Sequence, residues 1–138
     1  MLSTTQAALP VIGRILLAII FIMSGVSKLG NPAGTQAYIA SVGLPFPMLA
    51  YIAAVVTEIA GGVMLAVGYR ARLAAVALAI FTIAAAVFFH HAFDDRNQFI
   101  HFMKNLAITG GLLQVAGFGA GAFSFDNRRA AVPARDLA

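Results

Sequence analysis

The 138-residue chain contains no cysteine and no tryptophan. The absence of cysteine excludes disulfides, thiol redox chemistry and thiolate metal ligands within this chain. Any redox role would therefore need a bound molecule or a partner subunit. Without tryptophan, the aromatic side chains at a membrane interface would have to be tyrosine and phenylalanine.

Charged residues are scarce as well. Only 10% of the residues are charged and 61% are hydrophobic, whereas soluble domains have about 25% charged and about 45–50% apolar residues. This composition predicts one domain, residues 1–138, whose solvent is lipid. The net charge of +4 comes from basic residues spread along the chain. Because they form no dense cluster, the sequence predicts no nucleic-acid partner.

Four apolar runs predict an all-α bundle of four transmembrane helices. The helices are expected at about residues 9–27, 47–68, 73–93 and 99–118, each long enough to cross a hydrocarbon layer of about 30 Å. The connection between the first two contains Gly, Pro and Asn and is expected to hold a short helix at residues 35–42. Residues 119–138 are predicted to be a cytoplasmic exit and tail.

The distribution of basic residues predicts the orientation. Four spans place both termini and the turn between the second and third helices on one side of the membrane. That side carries Arg14, Arg70, Arg72, Arg128, Arg129 and Arg135. The other side carries Lys28, Arg96 and Lys104. Since basic residues favour the cytoplasmic side, both termini are predicted to lie inside.

Glu58 is the one acidic residue in the second apolar run. A charge at that depth costs roughly 2.5–3.5 kcal/mol and needs a partner or a task. We expect Glu58 to meet Arg14 of the first helix inside the bundle. A polar stripe of the fourth helix should lie beside them, and it consists of Gln98, His101, Asn105 and Thr109. A purely structural Arg14–Glu58 pair that fixes helix register is an open alternative.

The sequence gives a candidate ligand site but no catalytic set. The predicted ligand-binding residues are Arg14, Lys28, Glu58, His90, Lys104 and Asn105. The two lysines could instead be anchors that extend to the membrane interface. The three histidines have no metal-ligand spacing, so no metal site and no covalent cofactor are expected.

Four segments in a fixed order resemble the DoxX family of bacterial inner-membrane proteins. They are GRILLAIIFIMSGVSKL, TEIAGGVMLAVGYRAR, FHH and FMKNLAITGGLL, and the likeness covers about residues 10–129. The resemblance implies four transmembrane helices in the inner membrane. It also implies an association with oxidoreductases, because relatives include a subunit of thiosulfate:quinone oxidoreductase. It transfers no catalytic residues and implies at most a membrane oxidoreductase or a subunit of one.

Two classes of function are open at this point. The first is a redox-associated subunit that binds a quinone or another amphipathic molecule at the polar residues named above. Its partners would be the bilayer, a redox protein or a second copy of the chain. The second is a non-enzymatic carrier of small molecules, a lipid-binding module or a membrane assembly protein.

Overall fold

The computed structural model describes residues 3–130, which form helices and no strands. The all-α prediction is therefore confirmed. The elements in chain order are α1 (Thr4–Gly30), α2 (Pro32–Ser41), α3 (Pro47–Val67), α4 (Ala71–Phe89), α5 (Arg96–Phe118) and α6 (Phe125–Ala130).

Three of these helices, α1, α3 and α4, are long and apolar enough to cross a membrane. The fourth predicted span corresponds to α5, whose 23 residues are sufficient in length. Several polar side chains make α5 less apolar than the others. They include Gln98, His101, Lys104 and Asn105.

Local hydrogen bonds explain why α1 is longer than predicted. Ser3 and Gln6 form a reciprocal capping box, since the Ser3 side chain accepts from the Gln6 backbone at 3.2 Å and the Gln6 side chain accepts from the Ser3 backbone at 3.0 Å. At the other end α1 continues to Gly30. Asn31 then caps α2 by accepting from the Gly34 backbone at 3.1 Å, so the short helix begins three residues earlier than predicted.

The end of the chain folds back onto the bundle. The carboxylate of Asp126, in α6, accepts from the backbone amides of Arg70 at 2.7 Å and Ala71 at 2.9 Å. These amides open α4 and have no partner within the helix. Asp126 thus caps the start of α4, at Ala71, from a distant part of the chain. At its other end α4 stops at Phe89, four residues before the predicted end. Residues 131–138 of the predicted exit and tail lie outside the described residues.

The long helices pack in a simple order. α1 packs on α3, α3 on α4, and α4 on α5, while α1 and α5 touch only slightly and α2 lies against α3. The central core includes Phe21, Leu65, Leu78 and Leu112 together with several alanines. We call the end with α2 the α2 end and the opposite end, with α6, the α6 end.

Candidate functional site

A cavity of about 480 Å³ lies at the α2 end, between the long helices and beneath α2. Most of its lining is apolar, with a small number of polar groups, as in sites for amphipathic ligands. The charged and polar side chains of the lining are Ser24, Lys28, Thr35, Tyr38, Thr57, Glu58, Thr82, His90 and Asn105.

An ion pair forms one wall of this cavity. The Lys28 ammonium lies 2.8 Å from Glu58 Oε2 and donates to Oε1 at 2.9 Å. Ser24, one turn before Lys28, also donates to Oε1 at 2.9 Å and accepts from Lys28 at 2.7 Å. Apart from the Lys28 ammonium, Glu58 Oε2 has no polar partner within residues 3–130. The buried carboxylate is therefore neutralised but keeps an acceptor position.

A glycine allows this wall to form. A Cβ on Gly25 would stand 2.5 Å from Ile59 Cγ1 and 3.3 Å from Glu58 Cβ. Only a residue without a side chain lets α1 approach α3 this closely. The close approach puts the Glu58 carboxylate within reach of both Ser24 and Lys28.

The opposite wall comes from α4 and α5. His90 follows the last residue of α4, and its Nδ1 lies 2.9 Å from Gln98 Oε1. Because an amide oxygen can only accept, Nδ1 carries the proton in this contact, which leaves Nε2 as an acceptor in the neutral ring. The ring stacks on His101 with centroids 5.0 Å apart. Asn105 lines the same cavity.

Arg14 lies elsewhere, so the predicted Arg14–Glu58 pair is wrong. Its guanidinium donates to the backbone carbonyls of Leu65 at 2.9 Å, Ala66 at 3.0 Å and Phe123 at 2.8 Å, all at the α6 end. The last carbonyls of a helix have no hydrogen-bond donor within the helix. Arg14 donates to two of these carbonyls at the end of α3. Fourteen residues of α1 separate Arg14 from Lys28, or about 21 Å along the axis.

The structure brings together some of the other predicted residues. Lys28, Glu58, His90 and Asn105 line one cavity, whereas Lys104 is exposed on α5 and lies outside it. Thr109, the last member of the predicted stripe, has a buried hydroxyl without a partner in the described residues. Ser24 was missed, although its spacing of four residues from Lys28 places the two on one helix face.

The three histidines do not gather with acidic residues. In the part of the chain that the structure describes, no three His, Cys, Asp or Glu side chains cluster as a metal site would require.

Comparison with known proteins identifies the family. Residues 9–91, which include the Lys28–Glu58 wall, match DoxX. The chain is 40% identical over 131 residues to inner membrane protein YphA of Escherichia coli K12, covering 91% of this chain and 94% of that protein. It is 39% identical over 115 residues to inner membrane protein YqjF of the same organism, covering 83% and 87%. No solved structure matches. The chain thus belongs to the DoxX family, as its sequence segments indicated, and is a multi-pass inner-membrane protein.

Proposed function

We propose that the cavity at the α2 end binds a quinone, or another amphipathic molecule with a similar headgroup, for a membrane oxidoreductase system. The observation that carries the proposal is the Lys28–Glu58 pair on the wall of an otherwise largely apolar cavity of about 480 Å³. A charged pair inside a membrane protein is costly and usually has a functional role.

The polar groups match the needs of a quinone headgroup. A quinone carbonyl accepts hydrogen bonds, and the Lys28 ammonium is a donor on one wall while the Asn105 amide is a donor on the other. A quinol hydroxyl donates, and the Glu58 carboxylate and His90 Nε2 are acceptors. Reduction of a quinone takes up two electrons and two protons. Glu58 and His90 would exchange protons, while the electrons would come from a partner protein or a second bound molecule, because this chain has no cysteine.

The apolar part of the cavity suits the tail of such a molecule. Aromatic side chains of α1 and α4 form much of it, together with an isoleucine of α5. They are Phe21, Phe81, Phe88, Phe89 and Ile108. A tail that lies among these side chains gains the stability of buried apolar surface, while the headgroup reaches the polar walls.

The proposal includes a single domain with four spans and both termini inside. α5 packs along α4 and contributes Asn105 to the cavity, which a fourth span would do. Among residues 3–130, four exposed arginines lie at the α6 end and favour the cytoplasmic side there. They are Arg70, Arg72, Arg128 and Arg129. The cavity would then lie in the outer half of the membrane.

Extraction and titration test the proposed ligand. The protein is purified in mild detergent, extracted with organic solvent for mass spectrometry, and titrated with a short-chain quinone. We expect saturable binding that Glu58→Gln and Lys28→Met each weaken by about tenfold, which corresponds to about 1.4 kcal/mol.

Lys104→Met is the matched control, because it removes a lysine that is exposed and outside the cavity. It should leave quinone binding unchanged. No saturable binding, or equal losses from the Lys28 and Lys104 variants, would contradict the proposal.

The cavity also fits a non-enzymatic carrier or lipid-binding protein, the second class that the sequence left open. Its mostly apolar lining favours this reading. Proteoliposomes separate the two, since a carrier moves a small molecule across the membrane without a redox partner, whereas a quinone-binding subunit needs one to turn over.

A further inference from the structure

A second groove, of about 470 Å³, lies at the α6 end between α1 and α5. Its walls include Pro10, Gly13 and Leu17 of α1 and Gly111, Gln114 and Val115 of α5. The groove exists because these two helices touch only slightly. It is separate from the cavity at the α2 end and shares no lining residue with it.

Arg14 lines this groove and is almost completely buried, with 1% of its surface exposed. Its two terminal nitrogens donate to backbone carbonyls, but Nε has no acceptor within residues 3–130. Arginine remains charged at physiological pH. The backbone carbonyls that accept from its terminal nitrogens carry no negative charge to compensate it.

No carboxylate forms an ion pair with Arg14 in the described part of the chain, where Lys28–Glu58 is the one such pair. Asp126 acts on Arg14 only through space. Both oxygens of Asp126 accept from the first amides of α4 instead. A buried cation that borders an apolar groove is a strong reason to expect an anionic ligand.

A second guanidinium lies close to Gly119, one of the residues that line this groove. Arg72 Nε is 3.4 Å, and Nη2 is 3.5 Å, from the position that a Cβ on Gly119 would take. Gly119 lines the groove, and Arg72 itself is exposed. The α6 end also carries further basic residues, namely Arg70, Arg128 and Arg129. Within residues 3–130, the positive charge of this end therefore exceeds the single negative charge of Asp126.

We propose that this groove binds an anionic glycerophospholipid. One acyl chain lies along the glycines and leucines between α1 and α5, and the phosphate lies at the α6 end beside Arg72 and close to Arg14. The exposed amide of Gln114 is placed to donate to an ester carbonyl. Basic pockets between membrane helices are known to hold anionic headgroups. A second copy of this chain fits the groove less well, because it would bring more arginines to an end that is already positive.

Native mass spectrometry in detergent tests the proposal, with phosphatidylglycerol and phosphatidylethanolamine added at equal concentration. We expect one phosphatidylglycerol per chain, retained at least about fivefold better than phosphatidylethanolamine, since each basic residue near an anionic lipid contributes about that factor. Equal retention of the two lipids would overturn the proposal.

Two glycine variants locate the lipid. Gly13 and Gly117 are helical glycines, and a Cβ added at either meets no atom within 4 Å. Only Gly13 lines the groove. Gly13→Leu should fill the groove and lower phosphatidylglycerol retention by about tenfold, or about 1.4 kcal/mol, whereas Gly117→Leu should not change it. Equal effects of the two variants would place the lipid elsewhere and refute the assignment.

A pair of arginine variants tests the headgroup without altering the packing of α1. Arg72 and Arg129 are both exposed at the α6 end. Arg72→Gln should reduce phosphatidylglycerol retention by about fivefold and Arg129→Gln by less. An equal reduction would mean that only the general charge of this end attracts the lipid, which contradicts a specific site. A dimer that Gly13→Leu dissociates would show that a second copy occupies the groove, and would also overturn the proposal.

Discussion

The Lys28 ammonium and the Glu58 carboxylate meet at 2.8 Å and connect the end of α1 to the middle of α3. Glu58 is 3% exposed, whereas the Lys28 side chain is 25% exposed. The lysine therefore brings its charge inward from the end of the bundle, while its aliphatic part spans the distance. Ser24 completes the arrangement by bonding to both groups.

This pair should show strong coupling in a double-mutant cycle. Lys28→Met leaves a buried carboxylate without its cation and should cost about 2–3 kcal/mol, somewhat below a fully buried pair because Lys28 is partly exposed. Glu58→Gln should cost about 1–2 kcal/mol, since the lysine can turn toward water. The double variant should be less destabilised than the sum of the two, with a coupling of about 1–2 kcal/mol.

Circular dichroism during thermal unfolding in detergent measures these changes. Lys104→Met is the control, because Lys104 is exposed and outside the cavity, and it should change the free energy of unfolding by less than about 0.5 kcal/mol. Additive effects of the two single variants would show that Lys28 and Glu58 do not interact in solution.

Gly25 should be intolerant of even one added methyl group. Its Cβ would stand 2.5 Å from Ile59 Cγ1, so Gly25→Ala must push α1 away from α3 and lengthen the contact with Glu58. We expect a loss of about 1–3 kcal/mol of stability. Gly110→Ala is the matched helical control, because a Cβ there meets nothing within 4 Å, and it should be neutral or stabilising by up to about 1 kcal/mol. Similar losses at both positions would refute the close approach.

The cost of a charge in lipid predicts that Glu58 needs a cationic partner, but it does not show whether that partner is Arg14 or Lys28. Arg14 and Lys28 lie on nearly the same face of α1. The choice depends on the vertical offset between α1 and α3, which is set by contacts such as Gly25 with Ile59 and Gly62 with Ile22. These packing contacts between distant segments leave no periodic pattern in the sequence.

Helix existence could be predicted from apolar runs, whereas some helix ends depended on partners far along the chain. The start of α4 illustrates this, since its amides bond to Asp126, which is 55 residues from Ala71. The helix starts capped by Ser3 and Asn31 can be predicted from the sequence, because both residues are common types of local N-cap. The sequence predicts that Arg14 lies beside Glu58, whereas the structure places its guanidinium at the α6 end, where it joins α3 to the segment before α6.

Gly68 should be essential for the Arg14 contact. It has a φ of +71°, and an added Cβ would lie 2.5 Å from Arg14 Nη1 and 2.6 Å from Ser124 Cβ. Gly43 has a similar φ of +81° but no atom within 4 Å of an added Cβ. Gly43→Ala should therefore cost only the backbone strain, about 1–2 kcal/mol.

Gly68→Ala should cost about 1–3 kcal/mol more than Gly43→Ala, because the guanidinium must move as well. Thermal unfolding of the two variants gives the difference directly. If they lose the same stability, the backbone conformation alone explains both glycines and Arg14 does not press against Gly68.

The proposed topology can be tested because the chain has no cysteine, so every introduced thiol is unique. Three exposed positions suit such thiols. Thr5 is in the first turn of α1, Asp94 lies between α4 and α5, and Ala122 lies between α5 and α6. With four spans and both termini inside, a membrane-impermeant maleimide should label Asp94→Cys in intact cells. It should label Thr5→Cys and Ala122→Cys only after permeabilisation.

The comparison of Asp94→Cys with Ala122→Cys decides whether α5 crosses the membrane. Its 23 residues extend about 34 Å at 1.5 Å per residue, enough for a hydrocarbon layer of about 30 Å. Its polar side chains need a protein interior, and Asn105 has one in the cavity at the α2 end. If the thiols at positions 94 and 122 are labelled from the same side, α5 does not cross the membrane and the bundle has three spans. If all three positions show the opposite labelling pattern, the four spans remain but their orientation is inverted. Because the parent chain has no thiol, any label it takes up measures the background.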